Sequence, residues 1–351
     1  MYRIAAFIAC FMLMMVIPIT RYNKIFGIDL SKKEGEVATV WQAPDGETVV
    51  NTTELGKNIR GYGGPVPVEV YFKDGKITKI DILSNDETPE FFGAVINSRV
   101  TDRYIGLTPK QAIELKSDAV TGATYSSNAV IANIRIAASY AMDDSHGVVK
   151  QSPKLDYKFY LTLAVIVAGA VIPLFVRNRK YRMVQLLLNV IVLGFWSGTY
   201  LCYSMMVSYL GNGVGVFVVA IPLLLMLVAA FVYPIFGRPN HYCNWMCPYG
   251  SLQELVGKMV PVKIRITKNG QKRIAVFRDV LWFVLMWLLW TGLWFDWMDY
   301  EPFAAFFIRS AGPVVLGIAG GFLLLSLIVQ RPYCNFVCPT GTLFKLTEGR
   351  K

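Results

Sequence analysis

Residues Tyr242–Leu252 read YCNWMCPYGSL, and Tyr333–Leu343 read YCNFVCPTGTL. Each copy sets two cysteines four residues apart, follows the second with Pro, and continues with Gly, a hydroxyl residue and Leu. The offset is constant: Cys243 to Cys334 and Cys247 to Cys338 are each separated by 91 residues. Two long apolar segments lie between the copies, so both emerge on the same side of a membrane. Four thiols in one neighbourhood are the number that holds an iron–sulfur cluster. Pro248 and Pro339 suit the first position of a new helix. Backbone N–H groups at such a helix start stabilise an anionic cluster. The helix after the first copy is expected over Tyr249–Met259, amphipathic and lying along the membrane surface.

Spacing alone leaves alternatives. Four thiolates also bind zinc, and reduced structural thiols at helix ends are the bland reading, which the duplication of CN-x-x-CP-x-G disfavours. The C-x₂-C-x₂-C-x₃-C-P run of bacterial ferredoxins is absent, so cluster type stays open between 4Fe–4S, the preferred form, and 2Fe–2S.

Composition places this chemistry in a membrane. The 351 residues are 54% apolar and 17% charged, against about 25% charged in soluble domains; mean hydropathy is +0.43. Cys10 and Cys202 sit in apolar segments, and no cysteine falls between them, which excludes a disulfide-stapled outer domain. The two histidines, His146 and His241, lie outside the apolar spans, which argues against a buried bis-histidine haem.

Ile4–Thr20 is apolar, flanked by Arg3, Arg21 and Lys24. Without a small-x-small site after it, it reads as an uncleaved anchor rather than a signal peptide. Residues 27–151 are ordinary soluble sequence. Val66–Phe72 and Lys76–Leu83 alternate around Asp74–Gly75, a hairpin signal. Thr108–Leu115 reads as a short helix opened by Thr and Pro, and Ser127–Ala141 as a longer one. Five more apolar spans follow: Phe159–Val176, Met183–Val207, Val214–Phe236, Val280–Trp297 and Pro313–Val329. Lys and Arg concentrate in Arg177–Arg182, Gly237–Arg278 and the C-terminal tail. Ser208–Gly213 has no charge, and Asp296–Gly312 holds Asp296, Asp299, Glu301 and a single Arg309. The basic loops are therefore cytoplasmic, and the net charge of +11 is a topology signal, not a nucleic-acid footprint. The expected architecture is an α-helical membrane bundle of six transmembrane helices carrying one extracytoplasmic α+β domain. Its parts are an anchor over 1–26, the soluble domain over 27–151 and a five-helix membrane domain over 152–351. Both termini and both cysteine pairs fall on the cytoplasmic side.

Asp118–Ser127 reads DAVTGATYSS. Small residues allow close backbone approach, and the start of the following helix favours a phosphate. Thr124 is then placed to carry that phosphate through its hydroxyl; an ordinary helix cap explains the stretch as well.

The soluble block resembles the FMN-binding domain of the flavin subunits of Rnf-type and sodium-translocating NADH:quinone oxidoreductase complexes. The resemblance rests on Gly61–Tyr71 (GYGGPVPVEVY), Asp74–Gly75–Lys76–Ile77, Glu87–Thr88–Pro89, Gly106–Leu107–Thr108 and Asp118–Ser127. It implies FMN joined by a phosphoester to Thr124, installed by a flavin transferase. Asp118 would be the acidic recognition residue, and Thr121, Gly122 and Ala123 the rest of the motif. The whole arrangement is similar to the membrane flavoproteins of nitrous-oxide and organohalide respiration, which combine an outward FMN domain, several spans and paired CX₃CP motifs. That likeness implies electron transfer between a cytoplasmic-side iron–sulfur centre on Cys243, Cys247, Cys334 and Cys338 and the outer FMN. The donor would be quinol or a ferredoxin-like protein, and the acceptor an extracytoplasmic reductase. The protein would act as a quinol-dehydrogenase-like component. Many relatives in nitrous-oxide respiration append ferredoxin domains, whereas this sequence ends at Lys351.

A hydrocarbon core of roughly 30 Å is too thick for one efficient electron step. Either the cluster is sunk into the bundle, or another carrier or quinone lies between. Asn189, Ser197, Thr199, Tyr200 and Ser204 in the second expected span are candidates for a quinone pocket; interhelical hydrogen bonding is the simpler reading. Trp287, Trp290, Trp294 and Trp297 suit packing and an interfacial belt. Asp296, Asp299 and Glu301 are expected at the outer edge. A redox-sensing membrane regulator or maturation factor is the reading from a different class.

Overall fold

In the computed structural model, residues 2–30, 38–61, 63–87, 89–115, 117, 124–142, 157–176, 178–213, 217–261, 264, 266–308 and 311–348 are described. An apolar run without an acidic residue forms helix α1 (Tyr2–Tyr22). Cys10, Met14 and Ile17, at helical spacing, face the core. A two-residue antiparallel ribbon, β1 (Lys24–Ile25) and β2 (Ile28–Asp29), follows.

The soluble block holds a four-stranded antiparallel sheet in sequence order: β3 (Val40–Gln42), β4 (Thr48–Asn51), β5 (Val68–Lys73) and β6 (Lys76–Ile82). The expected hairpin is β5–β6. Asp74 and Gly75 both take positive φ, +50° and +71°, the backbone a tight two-residue hairpin turn requires. Val68, Val70 and Phe72 alternate inward along β5.

The helices are α2 (Pro89–Asn97), α3 (Pro109–Glu114) and α4 (Thr124–Met142). Thr108 opens α3 with a capping box to Gln111. The α4 face carrying Val130, Ile134 and Ala137 closes over the sheet. Full burial of each such Val or Ile contributes about 1.5–3 kcal/mol. The helix begins earlier than Ser127, so Thr124 is its first residue.

The helical part that follows runs through α5 (Tyr157–Phe175) and α6 (Arg179–Leu188), which continues as a π-helical stretch Asn189–Trp196. The chain leaves the helix over residues 197–202, where Gly198 takes φ +63°, and resumes as α7 (Tyr203–Asn212). The expected span Met183–Val207 is thus two half-helices rather than one. Non-helical backbone at depth is tolerated where protein surrounds it. Asn189 bonds the Trp245 carbonyl and Ser251, and Tyr200 bonds the Phe303 carbonyl, as interhelical contacts.

Next come α8 (Phe217–Leu227), a π-helical stretch Val228–Val232 and α9 (Tyr233–Ile235). Then follow α10 (His241–Trp245), α11 (Pro248–Gly257) and α12 (Lys268–Trp290). After the 3₁₀ turns Asp296–Tyr300 and Pro302–Phe306 the chain ends with α13 (Pro313–Ser326), α14 (Pro332–Phe336) and α15 (Pro339–Glu348). Among the described residues, Ala5–Tyr22 and Tyr157–Phe175 are long and apolar enough to cross a membrane; Ala220–Ile235 and Pro313–Ser326 are apolar but shorter. The architecture is helix-rich with one small sheet region.

Two sequence expectations give way. Helix α11 does not lie along a surface: Tyr249, Gly250, Ser251, Gln253 and Glu254 are buried. Its polar residues are satisfied by other polar groups inside the protein, not by lipid headgroups. Glu301 is not at an outer edge either. It is buried, and its carboxylate accepts from the Tyr203 backbone N–H at 2.9 Å and from the Thr340 hydroxyl at 2.8 Å. The segment after Glu301 folds back into the bundle with Phe303, Ala304 and Phe306 buried. Trp287 and Trp294 are exposed, as a belt requires, whereas Trp297 is buried against Tyr203.

A Cβ on Gly194 would stand 2.6 Å from the Phe306 ring. Gly194→Val is expected to destabilise by about 1–3 kcal/mol through overpacking, read as a lowered thermal midpoint in detergent; an unchanged midpoint would show that the Pro302–Phe306 segment does not occupy that position.

Candidate iron–sulfur and flavin sites

The duplicated sequence folds as a duplicated structure. Asn240 and Arg331, one residue ahead of α10 and α14, both take left-handed backbone, φ +53° and +47°. The Cys247 and Cys338 amides bond the Tyr242 and Tyr333 carbonyls at 3.0 and 2.9 Å. The Ser251 and Thr342 hydroxyls bond the Cys247 and Cys338 carbonyls at 2.8 and 2.9 Å. Each local rule in the repeat is therefore obeyed twice.

The two copies meet around one cavity of about 300 Å³, lined by Cys243, Cys247, Cys334 and Cys338. Donors converge on the sulfurs: Gly250 N–H to Cys247 Sγ at 3.4 Å, Gly341 N–H to Cys338 Sγ at 3.2 Å, and Gln253 Nε2 to Cys334 Sγ at 3.3 Å. The first two come from the opening turns of α11 and α15, where N–H groups lack helical partners. A Cβ on Gly250 would lie 3.1 Å from the Cys243 carbonyl, so glycine lets α11 start close against the preceding turn of its own copy.

The residues fit a cluster. Burial pushes the Cys247 and Cys338 thiols well above their ordinary value, so a bound metal centre is what would hold them as thiolates. Among the described residues no three Cys, His, Asp or Glu side chains close on a single ion. Four cysteines set around a cavity suit a multi-iron centre, and four thiolates also bind zinc.

Sequence reading missed the charged frame. Arg331 donates from Nη1 to the Cys243 carbonyl at 3.1 Å and to Asn244 Oδ1 at 2.8 Å, and pairs with Glu254 through Nη2. Arg182 also grips Glu254, at 2.8 and 2.7 Å, with Lys258 at 3.2 Å. Burial works to raise the Glu254 carboxyl, but the Arg182 hydrogen bonds and the Arg331, Arg182 and Lys258 charges outweigh it and bring it to about 2. In the sequence these cations read only as topology.

On the flavin side the structure places Thr124 at the first residue of α4; Asp118, Thr121, Gly122 and Ala123 lie outside the described residues. Around that helix start, Glu87 is a second residue the sequence did not single out for a role. Its Oε1 accepts from Gly63 N–H at 2.8 Å and Gly64 N–H at 3.3 Å, and the Ser126 hydroxyl donates to its Oε2. A Cβ on Gly63 would fall 2.2 Å from the Asp86 carbonyl, which requires glycine there. The GYGG stretch and the start of α4 are thus tied through one carboxylate.

Comparison with known proteins agrees with this geometry. The FMN-binding domain family matches residues 61–139, and the 4Fe-4S binding domain family matches residues 219–267 and 311–351. The chain therefore carries an FMN-binding domain and a 4Fe–4S binding domain. Among curated relatives, Protein NirI of Paracoccus denitrificans is 23% identical over 298 residues, covering 76% of this chain and 44% of the relative. Regulatory protein NosR of Pseudomonas aeruginosa is 29% identical over 120 residues, 30% of this chain and 16% of the relative. YccM of Escherichia coli is 24% identical over 136 residues, 34% and 37% of the two chains. The chain spans less than half the length of each of these relatives. No solved structure matches it.

Burial raises the Glu87 carboxyl from 4.5 to about 7, against its hydrogen bonds from Ser126, Gly63 and Gly64. The folded value lies above the unfolded one, so its contribution is full below pH 4.5 and is lost as pH rises through about 7. The FMN domain of the flavoprotein is expected to lose on the order of 3 kcal/mol of stability across that window, and Glu87→Gln to flatten the profile. Hydrogen exchange across β5 and α4 at pH 5 and 8 reads this; identical pH profiles in both proteins would overturn it.

Proposed function

We propose that the protein passes electrons between a 4Fe–4S centre held by Cys243, Cys247, Cys334 and Cys338 and FMN joined through a phosphoester to Thr124, in a six-span membrane protein. The observation that carries this reading is the meeting of two cysteine pairs, 91 residues apart in sequence, around one cavity, in a chain that also holds an FMN-binding domain. Once bound, the two cofactors supply one-electron chemistry.

The residues around them supply the rest. The Gly250 and Gly341 amides and the Gln253 side chain offset negative charge on the sulfurs. Arg331 adds a fixed cation against the Cys243 backbone, held in place by Glu254. Asp118 would be the acidic recognition residue of the flavinylation motif, and Thr121, Gly122 and Ala123 would let the flavin phosphate approach the start of α4, where helix N–H groups favour it.

The charge pattern of the loops supports cysteine pairs toward the cytoplasm, both termini inside and the FMN domain outside the cytoplasmic membrane. Electrons would come from the quinol pool or a ferredoxin-like donor and leave to an extracytoplasmic reductase. A flavin transferase would complete maturation, and membrane lipid would surround the bundle. A second reading, a redox-sensing regulator or maturation factor, draws support from the printed name of its relative, Regulatory protein NosR. Reduction of the bound flavin by a quinol analogue in the purified protein separates the two, because a regulator of that kind would leave it oxidised.

Two outcomes are expected. Protein made with an active flavin transferase gains the mass of one FMN, and Thr124→Val abolishes the gain; an unchanged gain in the variant would move the attachment elsewhere. Anaerobically purified protein carries about four iron and four sulfide per chain, and Cys247→Ser or Cys338→Ser removes most of both. Full iron in those variants would dismiss the four-cysteine site.

A further inference from the structure

One half-helix, α7, runs from the cysteine side of the bundle to the FMN-binding domain. At its start, α7 is clamped to the cysteine helix. Glu301 takes the Tyr203 N–H on one carboxylate oxygen and the Thr340 hydroxyl on the other, and Thr340 is two residues from Cys338. Trp282 Nε1 donates to the Tyr203 hydroxyl at 2.6 Å, and the Trp297 ring stands 5.4 Å from the Tyr203 ring. At its far end, α7 is clamped to the FMN-binding domain. The Ser208 hydroxyl donates to the Gly63 carbonyl, and Arg60 to the Gly213 carbonyl. Gly63 N–H in turn meets Glu87, and Glu87 meets Ser126, two residues from Thr124. Phe26 and Gly27 amides bond the Leu210 and Gly211 carbonyls at 2.8 and 2.7 Å and hold the β1–β2 ribbon against the same helix end.

The ten residues of α7 span about 15 Å at 1.5 Å per residue, half of a roughly 30 Å hydrocarbon core. Tyr203 to Ser208 covers only about 8 Å of that.

We propose that α7 is a direct electron bridge between the cysteine cavity and the flavin domain, with Glu301 and Glu87 as its positioning residues and no third carrier between. The proposal rests on the electron-transfer reading above. Each step moves one electron: the iron–sulfur centre loses one as the flavin gains one, or the reverse, and no bond breaks. The donor and acceptor classes named above refill and drain the pair. The break at residues 197–202 is what makes this possible, since an unbroken helix would carry no N-terminus for Glu301 to hold at the depth of the cysteines.

Three measurements test this. Pulsed EPR between the one-electron-reduced centres in the loaded wild-type protein is expected to return less than about 25 Å, below the hydrocarbon thickness; a longer separation overturns the bridge. Glu301→Ala, which removes both of the Glu301 hydrogen bonds at the start of α7, is expected to slow flavin reduction by the photoreduced cluster at least about tenfold. Iron and flavin content and both midpoint potentials are read in the same samples, and Glu301→Gln, which keeps the carbonyl acceptor, restores the rate. An unaltered rate in Glu301→Ala overturns the role of Glu301, and loss of iron in that variant returns the decision to the wild-type distance.

A third test needs no cofactor. A Cβ on Gly64 would lie 3.0 Å from Asn212 Nδ2, so Gly64→Cys with Asn212→Cys is expected to form a disulfide on mild oxidation, seen as a cross-linked peptide by mass. No cross-link means the domain does not dock on α7. Protein that cross-links yet holds no iron or flavin retires the electron-transfer reading and leaves the docking geometry standing.

Discussion

A helix that starts inside an apolar bundle leaves backbone N–H groups with no water to satisfy them, and each unpaired group costs several kcal/mol. Glu301 meets that constraint for α7, and its second oxygen holds Thr340 at the start of α15. One buried carboxylate therefore decides three things together: where the second span breaks, how deep the fold-back segment after residue 301 sits, and how the second cysteine pair is held. Favourable charge at a helix N-terminus makes the arrangement stable in a setting where a lone carboxylate would be costly.

The cysteine cavity follows from symmetry of sequence turned into symmetry of space. Each copy has a left-handed residue, a one-turn helix, a cysteine at the cap of the next helix, and a glycine whose amide faces that sulfur. Two such units face each other across the cavity. The cations Arg331 and Arg182 would carry an unbalanced charge beside this site without Glu254. Breaking such a buried network by removing one partner is far more damaging than the net worth of the pair. Its role is to hold geometry around the cluster.

The β5–β6 hairpin was legible because a turn at Asp74–Gly75 is a two-residue code. Helix α3 was legible because Thr108, Pro109 and Gln111 are local signals. The cysteines were legible as a set through duplication. The surface placement of α11 was misread because its amphipathic pattern describes a polar face without saying what meets it; Gln253 and Glu254 turn toward Cys334 and Arg331, not toward lipid headgroups. The outer placement of Glu301 was misread because a charge in a loop between two apolar spans ordinarily faces water. The sequence put the helix at Ser127–Ala141 with Thr124 just ahead of it, whereas the described part of α4 already includes Thr124.

The sequence by itself determined the chemistry on offer: four paired thiols, a phosphate-suited helix start in a flavin-type domain, and an apolar chain with basic loops. These rest on residue identity and spacing within a few turns, where propensity and capping act. Only the tertiary structure decided the distance between them. It turned Met183–Val207 into two half-helices, drew Glu301 inward, brought pairs 91 residues apart to one cavity, and seated Gly63 on Ser208. Those outcomes depend on which buried polar groups find one another across long separations, a condition that no local pattern records.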